Sequence, residues 1–337
     1  MTEPASPPSA QMLQFVMGSW LAQAVGAAAR LSLADHLAAG PKRADELARD
    51  ASADPDAVFR LMRALASVGV FTLGDGRFAL TPLGETLRTG VPGSIRNFAI
   101  AETDTPHWAT WARFTSAVKE GRKMAHEALG MEFWEYYAQN PEEGEQFSRA
   151  MTDLSWLASS AVLETYDFSG VHRVVDVGGA HGALLREILR AQPAATGVLF
   201  DLPHVARNAR ADLERSDLAS RIEVVPGDFF ERVPAGGDVY LLKHILHDWD
   251  DTHSVRILKS VRAAAKPSSK ILVVEFALPE AADPTPAHFV DLNMLVVLDG
   301  RERTQREYAS LFEQAGLRLS RFIPTSGPLA ISEAVVA

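Results

Sequence analysis

From Gly170 onward the chain alternates short apolar runs with helical stretches. The runs are Arg173 to Val177, Gly197 to Phe200, Ile222 to Val225, Val239 to Leu242 and Ile271 to Phe276. Strands with no polar face are buried on both sides, and strands separated by helices are joined by crossovers. The pattern predicts an α/β fold with a Rossmann-like, doubly wound parallel sheet over residues 166–337. Ligands of such sheets sit beyond the carboxyl ends of the strands, where the strand order reverses. The polar residues of this half of the chain cluster just after the runs.

The first 90 residues read differently. Pro41 opens a short helix, and Asp54-Pro55-Asp56 caps a second that carries Val58, Leu61, Met62, Leu65 and Val68 at helical spacing. Phe71 to Leu73, Gly74-Asp75-Gly76 and Arg77 to Leu80 then give strand, tight turn and strand. Helix, helix and hairpin outline a winged helix. Residues 1–90 hold 8 Lys/Arg against 9 Asp/Glu, and the whole chain carries a formal charge of -10. A DNA reader is clearly basic, so no nucleic-acid partner is expected, and the outline points to dimerisation. Residues 91–165 read as a helical linker rich in aromatics, set between the winged helix and the sheet domain. Gln11 to Ala29 is uncharged for about the length of a membrane span, but three glutamines and two glycines favour a buried or dimer-forming helix. Met1 to Ala10 lacks the basic-then-apolar order of a signal peptide, which makes the cytoplasm the expected location. With no cysteine there is no thiol chemistry.

Three acidic residues close three consecutive runs: Asp176, Asp201 and Asp228. The first is followed by Gly178-Gly179-Ala180-His181-Gly182 at a helix start, where glycines let a ligand approach the backbone. A dinucleotide fingerprint needs glycines at 178, 180 and 183, and Ala180 and Ala183 break it. A carboxylate such as Asp201 accepts two ribose hydroxyls, and Asp228 beside Phe229 suits an adenine that donates and stacks. Each acid taken alone has the alternative of capping the following helix, but the three together describe a nucleoside site without a phosphate-binding lysine motif. The fourth run leads to Lys243-His244-Ile245-Leu246-His247-Asp248. Histidine titrates near neutral pH, as a general base requires. His247, further past the strand, is the candidate base, and His244 is expected to pack beside the sheet. Glu275 and Glu302 are candidates to flank the imidazole; Glu302 has the alternative of a surface pair with Arg301 or Arg303. No metal is expected.

At this point the chain resembles the plant caffeate-type and bacterial secondary-metabolite O-methyltransferases over nearly its whole length. Asp-Val-Gly-Gly-x-x-Gly at 176–182, Phe-Asp-Leu-Pro-His at 200–204, Gly-Asp-Phe-Phe at 227–230, His-Asp-Trp-x-Asp at 247–251 and Arg-Glu-Arg-Thr at 301–304 occur in the family's order. The resemblance implies S-adenosylmethionine as methyl donor, leaving S-adenosylhomocysteine, held by Asp176, Gly178, Gly182, Asp201, Leu202, Asp228, Phe229 and Lys243, with Ser155 and Trp249 nearby. It implies His247 as base between Glu275 and Glu302, and an acceptor pocket of Met151, Asp291 and Met294 with Trp134, Phe147 and Asn293. It further implies a homodimer whose N-terminal helices are exchanged and a small aromatic acceptor bearing a hydroxyl. The family commonly has glycine at 180, so Ala180 is a departure that crowds the cofactor loop. Relatives that act on nitrogen, or that hydroxylate or decarboxylate, keep the same cofactor site. A winged-helix metabolite sensor is the reading from another class.

Overall fold

The computed structural model describes residues 7–281 and 283–337. Its internal contacts form two compact units, Met1–Thr105 and Pro106–Ala337. The aromatic-rich stretch from 106 therefore belongs with the sheet domain, and residues 91–105 belong with the N-terminal unit.

In the N-terminal unit, Asp54 caps the helix Pro55–Ser67 by accepting the Ala57 N–H at 2.9 Å. Strands β1 (Phe71–Gly74) and β2 (Arg77–Leu80) pair antiparallel across Asp75 and Gly76, whose φ values of 50° and 72° suit a two-residue primed turn. Leu33, Leu47, Val58, Met62, Leu65, Phe71 and Phe78 close the core beneath them. The helix Pro8–Arg30 is buried only near its C-terminal end, at Gly26, Ala28 and Ala29. Gly26 is required there, since a Cβ would lie 1.9 Å from Thr103 Oγ1. The rest of the helix exposes Met12, Leu13, Val16, Leu21, Phe15 at 75% and Trp20 at 67%. It is thus not a buried helix within this unit. Among the described residues it is the helix long and apolar enough to cross a membrane by length and composition.

The C-terminal unit is built on strands β3 (Arg173–Val177), β4 (Thr196–Asp201), β5 (Ile222–Pro226), β6 (Val239–Lys243), β7 (Lys270–Leu278), β8 (Arg303–Thr304), β9 (Leu317–Pro324) and β10 (Leu329–Val336). The order is β5-β4-β3-β6-β7-β10-β9, with β8 continuing beside the end of β7. β3 to β7 are mutually parallel, while β10 is antiparallel to both β7 and β9. Two apolar layers sandwich the sheet, one around Leu184, Leu185, Val174 and Leu199, the other around Val175, Val198, Leu242 and Phe312. The order reverses between β3 and β6, so the residues following these strands face one crevice.

Candidate active site

Beyond β3 the chain turns through Gly178 at φ +71°, where a Cβ would lie 2.4 Å from Ile245 Cδ1. Only glycine leaves that cradle open. Asp201, at the end of β4, braces the turn: its Oδ2 accepts the Ala180 N–H at 2.8 Å and its Oδ1 the Leu202 N–H at 2.7 Å. Burial raises its carboxyl above the usual range despite these donors. Asp176 is buried and pushed up to about 7 by desolvation, with the Lys243 charge opposing and Asp201 adding to the rise. Burial draws Lys243 down to about 8 against the charges of Asp176, Glu275 and Asp248. Asp228 Oδ1 accepts the Phe230 N–H at 2.7 Å and so does cap its own turn. Phe229 and Phe230 meet edge to face at 4.9 Å, and Trp249 stands against both. Gly182 opens the next helix at φ +70°, and Leu202 is partly exposed beside Asp201. Ser155 gives its hydroxyl proton to Met151 O at 2.6 Å, within its own helix.

Ala180 sits at φ +49°, a region in which a Cβ costs about 1–2 kcal/mol. Its departure from glycine is therefore a backbone cost. Ala180→Gly is expected to raise Tm by a few degrees in a thermal melt, without loss of cofactor affinity.

The base candidate lies on the 3-10 turn Leu246–Asp248, directly after β6. His247 is 6% exposed, and its Nδ1 lies 2.6 Å from Oε1 of Glu302, which is fully buried. A surface pair of Glu302 with Arg301 or Arg303 is thereby set aside. Asp248 Oδ1 stands 3.4 Å from the other ring nitrogen, Nε2. Burial disfavours the charged ring, but the carboxylates of Glu302 and Asp248 outweigh it and raise His247 to about 9. Asp248 itself is pushed up to about 7 by burial, against the pull of His247. Glu302 Oε2 is buried without a hydrogen bond.

Glu275 corrects the expectation. Its carboxylate does not reach the imidazole: Oε1 accepts the backbone N–H groups of Ile245 at 2.9 Å and Leu246 at 2.6 Å, with that of His247 at 3.4 Å, and Oε2 accepts the Tyr308 hydroxyl at 2.6 Å. The second carboxylate at the ring is Asp248, which the sequence reading passed over although it follows the histidine. His244, at φ +54°, stacks on His247 with ring centroids 5.1 Å apart and meets Phe276 at a tilt, 5.6 Å away. Burial, with the charges of Lys243 and His247, holds it far below the usual histidine range, hence neutral and unsuited to accept a proton.

A cavity of 310 Å³ beside the His247 turn is lined by Lys123, Glu132, Phe133, Trp134, Asp248, Trp249, Val297 and Leu298. Trp134 packs on Phe147 at 5.6 Å within an aromatic cluster. The helix Ala287–Leu298 supplies Met294, Asn293 and Asp291. Asn293 Oδ1 accepts the Trp111 indole N–H at 2.7 Å, and Asp291 Oδ1 accepts the Glu302 N–H at 2.9 Å. Asp291 thus holds the segment bearing Glu302. Elsewhere Glu145, His181 and Asp212 converge, but their carboxylates are already paired with Arg149, Asn208 and Arg215.

Strand-end carboxylates around a glycine turn lie in the same unit as a buried carboxylate–imidazole pair, a set able to hold a polar ligand and to move a proton. Residues 111–318 match the O-methyltransferase domain family and residues 13–90 the O-methyltransferase dimerisation domain family, so the chain belongs to the O-methyltransferases. It is 41% identical over 98% of its length to the phenazine O-methyltransferase PhzM of Lysobacter antibioticus, covering 97% of that protein. The crystal structure of LaPhzM superposes with a TM-score of 0.95 at 40% identity, covering 98% of this chain and 100% of that one. Human N-acetylserotonin methyltransferase, solved with S-adenosylmethionine, superposes with a TM-score of 0.90 at 27% identity and 99% coverage of both chains. The phenazine-1-carboxylate N-methyltransferase of Pseudomonas aeruginosa is 33% identical over 93% of this chain and 92% of its own. The chain is an S-adenosylmethionine-dependent O-methyltransferase. Its glycine cradle and buried strand-end carboxylates suit that donor, whose sulfonium supplies an electrophilic methyl group.

Proposed function

We propose that this enzyme methylates a hydroxyl of a small planar aromatic metabolite and that His247 is the general base. The observation that carries this reading is the 2.6 Å contact between buried Glu302 and His247 Nδ1, which fixes the ring and leaves Nε2 to take the hydroxyl proton. Asp201, Asp228, Phe229, Asp176, Lys243 and the loop at Gly178 and Gly182 hold the donor, with Leu202 and Trp249 beside it. Alignment of the acceptor oxygen with the methyl group and the sulfur removes much of the barrier. Trp134, Phe147, Met151 and Met294 form the acceptor wall; rings and thioethers favour a flat apolar acceptor. Incubating the enzyme with the donor and a panel containing a hydroxyphenazine, a hydroxybenzoate and a naphthol tests this by mass spectrometry. A gain of one methyl group with equimolar S-adenosylhomocysteine is expected. The N-methyltransferase relative favours a second reading, and a product methylated on nitrogen would establish it.

A base raised to about 9 must lose its proton before it acts, so kcat/KM is expected to rise with pH up to about 9. Glu302→Gln removes the main cause of that rise, leaving burial and Asp248 to act. The acid limb then moves to lower pH while kcat falls; a limb unmoved in this variant would detach Glu302 from the base. The sign for stability follows from the same pair. The contribution is complete below the unfolded value of about 6.5 and is lost as pH rises through about 9.

Pro8–Arg30 leaves Met12, Leu13, Phe15, Val16, Trp20 and Leu21 exposed on one helix, a cluster of the kind that marks an interaction surface, and it overlaps the dimerisation-domain match. It supports a homodimer with this helix in the interface. The double variant Phe15→Glu, Trp20→Glu is expected to run as a monomer in light scattering, where an unchanged dimer would exclude this face.

A further inference from the structure

The turn bearing the base is only three residues long, follows a strained His244, and has too few hydrogen bonds of its own to fix its geometry. Its N–H side is gripped by Glu275, as described. On its carbonyl side lies Arg303, 1% exposed on β8. Its guanidinium donates from Nη1 to Leu246 O at 2.9 Å and from Nη2 to Trp249 O at 2.8 Å, carbonyls that bracket His247 and Asp248. Nε and Nη2 also reach Asp251 Oδ1 at 3.0 and 2.8 Å, and Nη2 reaches Ser254 Oγ at 3.3 Å. Arg301, two residues before, donates its N–H to His247 O at 2.9 Å.

We infer that Arg303 is a positioning residue for the base, a buried fork that locks the carbonyls on either side of His247 and so holds the ring against Glu302. Glu302 and Arg303 are consecutive, so one short segment fixes both the ring and the backbone that carries it. Planar, five-donor guanidinium is the side chain that can span two carbonyls and a carboxylate at once; an ammonium of equal charge cannot. The effect of Arg303 on turnover rests on His247 being the base. Its effect on ring position does not.

Arg303→Lys keeps the charge and removes the fork. In ¹⁵N-histidine NMR of the S-adenosylhomocysteine complex, the Nδ1–H resonance of His247 and its titration midpoint are expected to shift, with the affinity for S-adenosylhomocysteine within about twofold of the parent. With the acceptor found in the panel, kcat should fall by about 10²-fold, the scale of a misplaced catalytic group. In a His247→Ala background the same substitution should cost nothing further. An unmoved His247 resonance, or an equal loss of rate in both backgrounds, would overturn the inference. Full activity of His247→Ala alone would instead remove the base reading, leaving the NMR result to decide the role of Arg303. If Arg303→Lys does not fold, Asp251→Asn serves: a shifted His247 Nδ1–H resonance with a lowered kcat supports the clamp, and an unchanged spectrum and kcat overturn it.

Discussion

Replacing His247 with alanine is expected to lower kcat by about 10²- to 10⁴-fold while the affinity for S-adenosylhomocysteine stays at the parent value. The size follows from what is removed. A positioned base contributes that range, and the remaining acceleration, which comes from aligning the two substrates, is left in place. The separation of effects follows from geometry: Asp201, at the end of β4, braces the glycine loop through the Ala180 N–H and also accepts the N–H of its neighbour Leu202, and neither contact involves the imidazole. Calorimetry for the product cofactor and single-turnover kinetics for the methyl group read the two quantities independently. A variant with parental kcat would remove His247 from the chemistry, and His244, neutral and stacked beside it, offers no replacement base.

Asp201→Ala should give the opposite pattern, with cofactor affinity falling by about 10²-fold or more. The carboxylate holds the Ala180 N–H of the glycine loop, the N–H of its neighbour Leu202 and, in the proposed reading, the ribose hydroxyls. Hydrogen bonds to a charged group are worth about 1.5–3 kcal/mol each, so losing two is enough for that change. At saturating cofactor the variant should recover most of its kcat. An unchanged dissociation constant would take Asp201 out of the site.

The catalytic sheet was legible because β3, β4, β6 and most of β7 are buried on both faces and read as apolar runs. The hairpin β9–β10 was not. β9 reads Leu-Arg-Leu-Ser-Arg-Phe-Ile-Pro at the sheet edge, and β10 carries Ser332 and Glu333 in buried positions, where Glu333 is answered by Arg321 and Tyr166 from elsewhere in the chain. A charge satisfied only by tertiary contact looks like a solvated one in sequence. The same reason hid the roles of Glu275 and Arg303. Both act on backbone groups, which every residue has, so their identity carries no trace of their target. Asp248 was hidden differently: its adjacency to His247 reads as loop polarity until burial and the 3.4 Å approach to Nε2 are seen. Glu302 was ambiguous between two arginine neighbours and an imidazole, and only its complete burial resolves the choice.

Methyl transfer to an aromatic oxygen is read most directly with donor labelled with ¹³C in the transferable methyl group. The enzyme and its best acceptor from the panel are turned over once, and the product is read by NMR. A single labelled methoxy carbon on the aromatic product and one equivalent of S-adenosylhomocysteine are expected, both appearing about 10²- to 10⁴-fold more slowly in His247→Ala. A labelled methyl on nitrogen, or an acceptor converted without gaining the label, would contradict it.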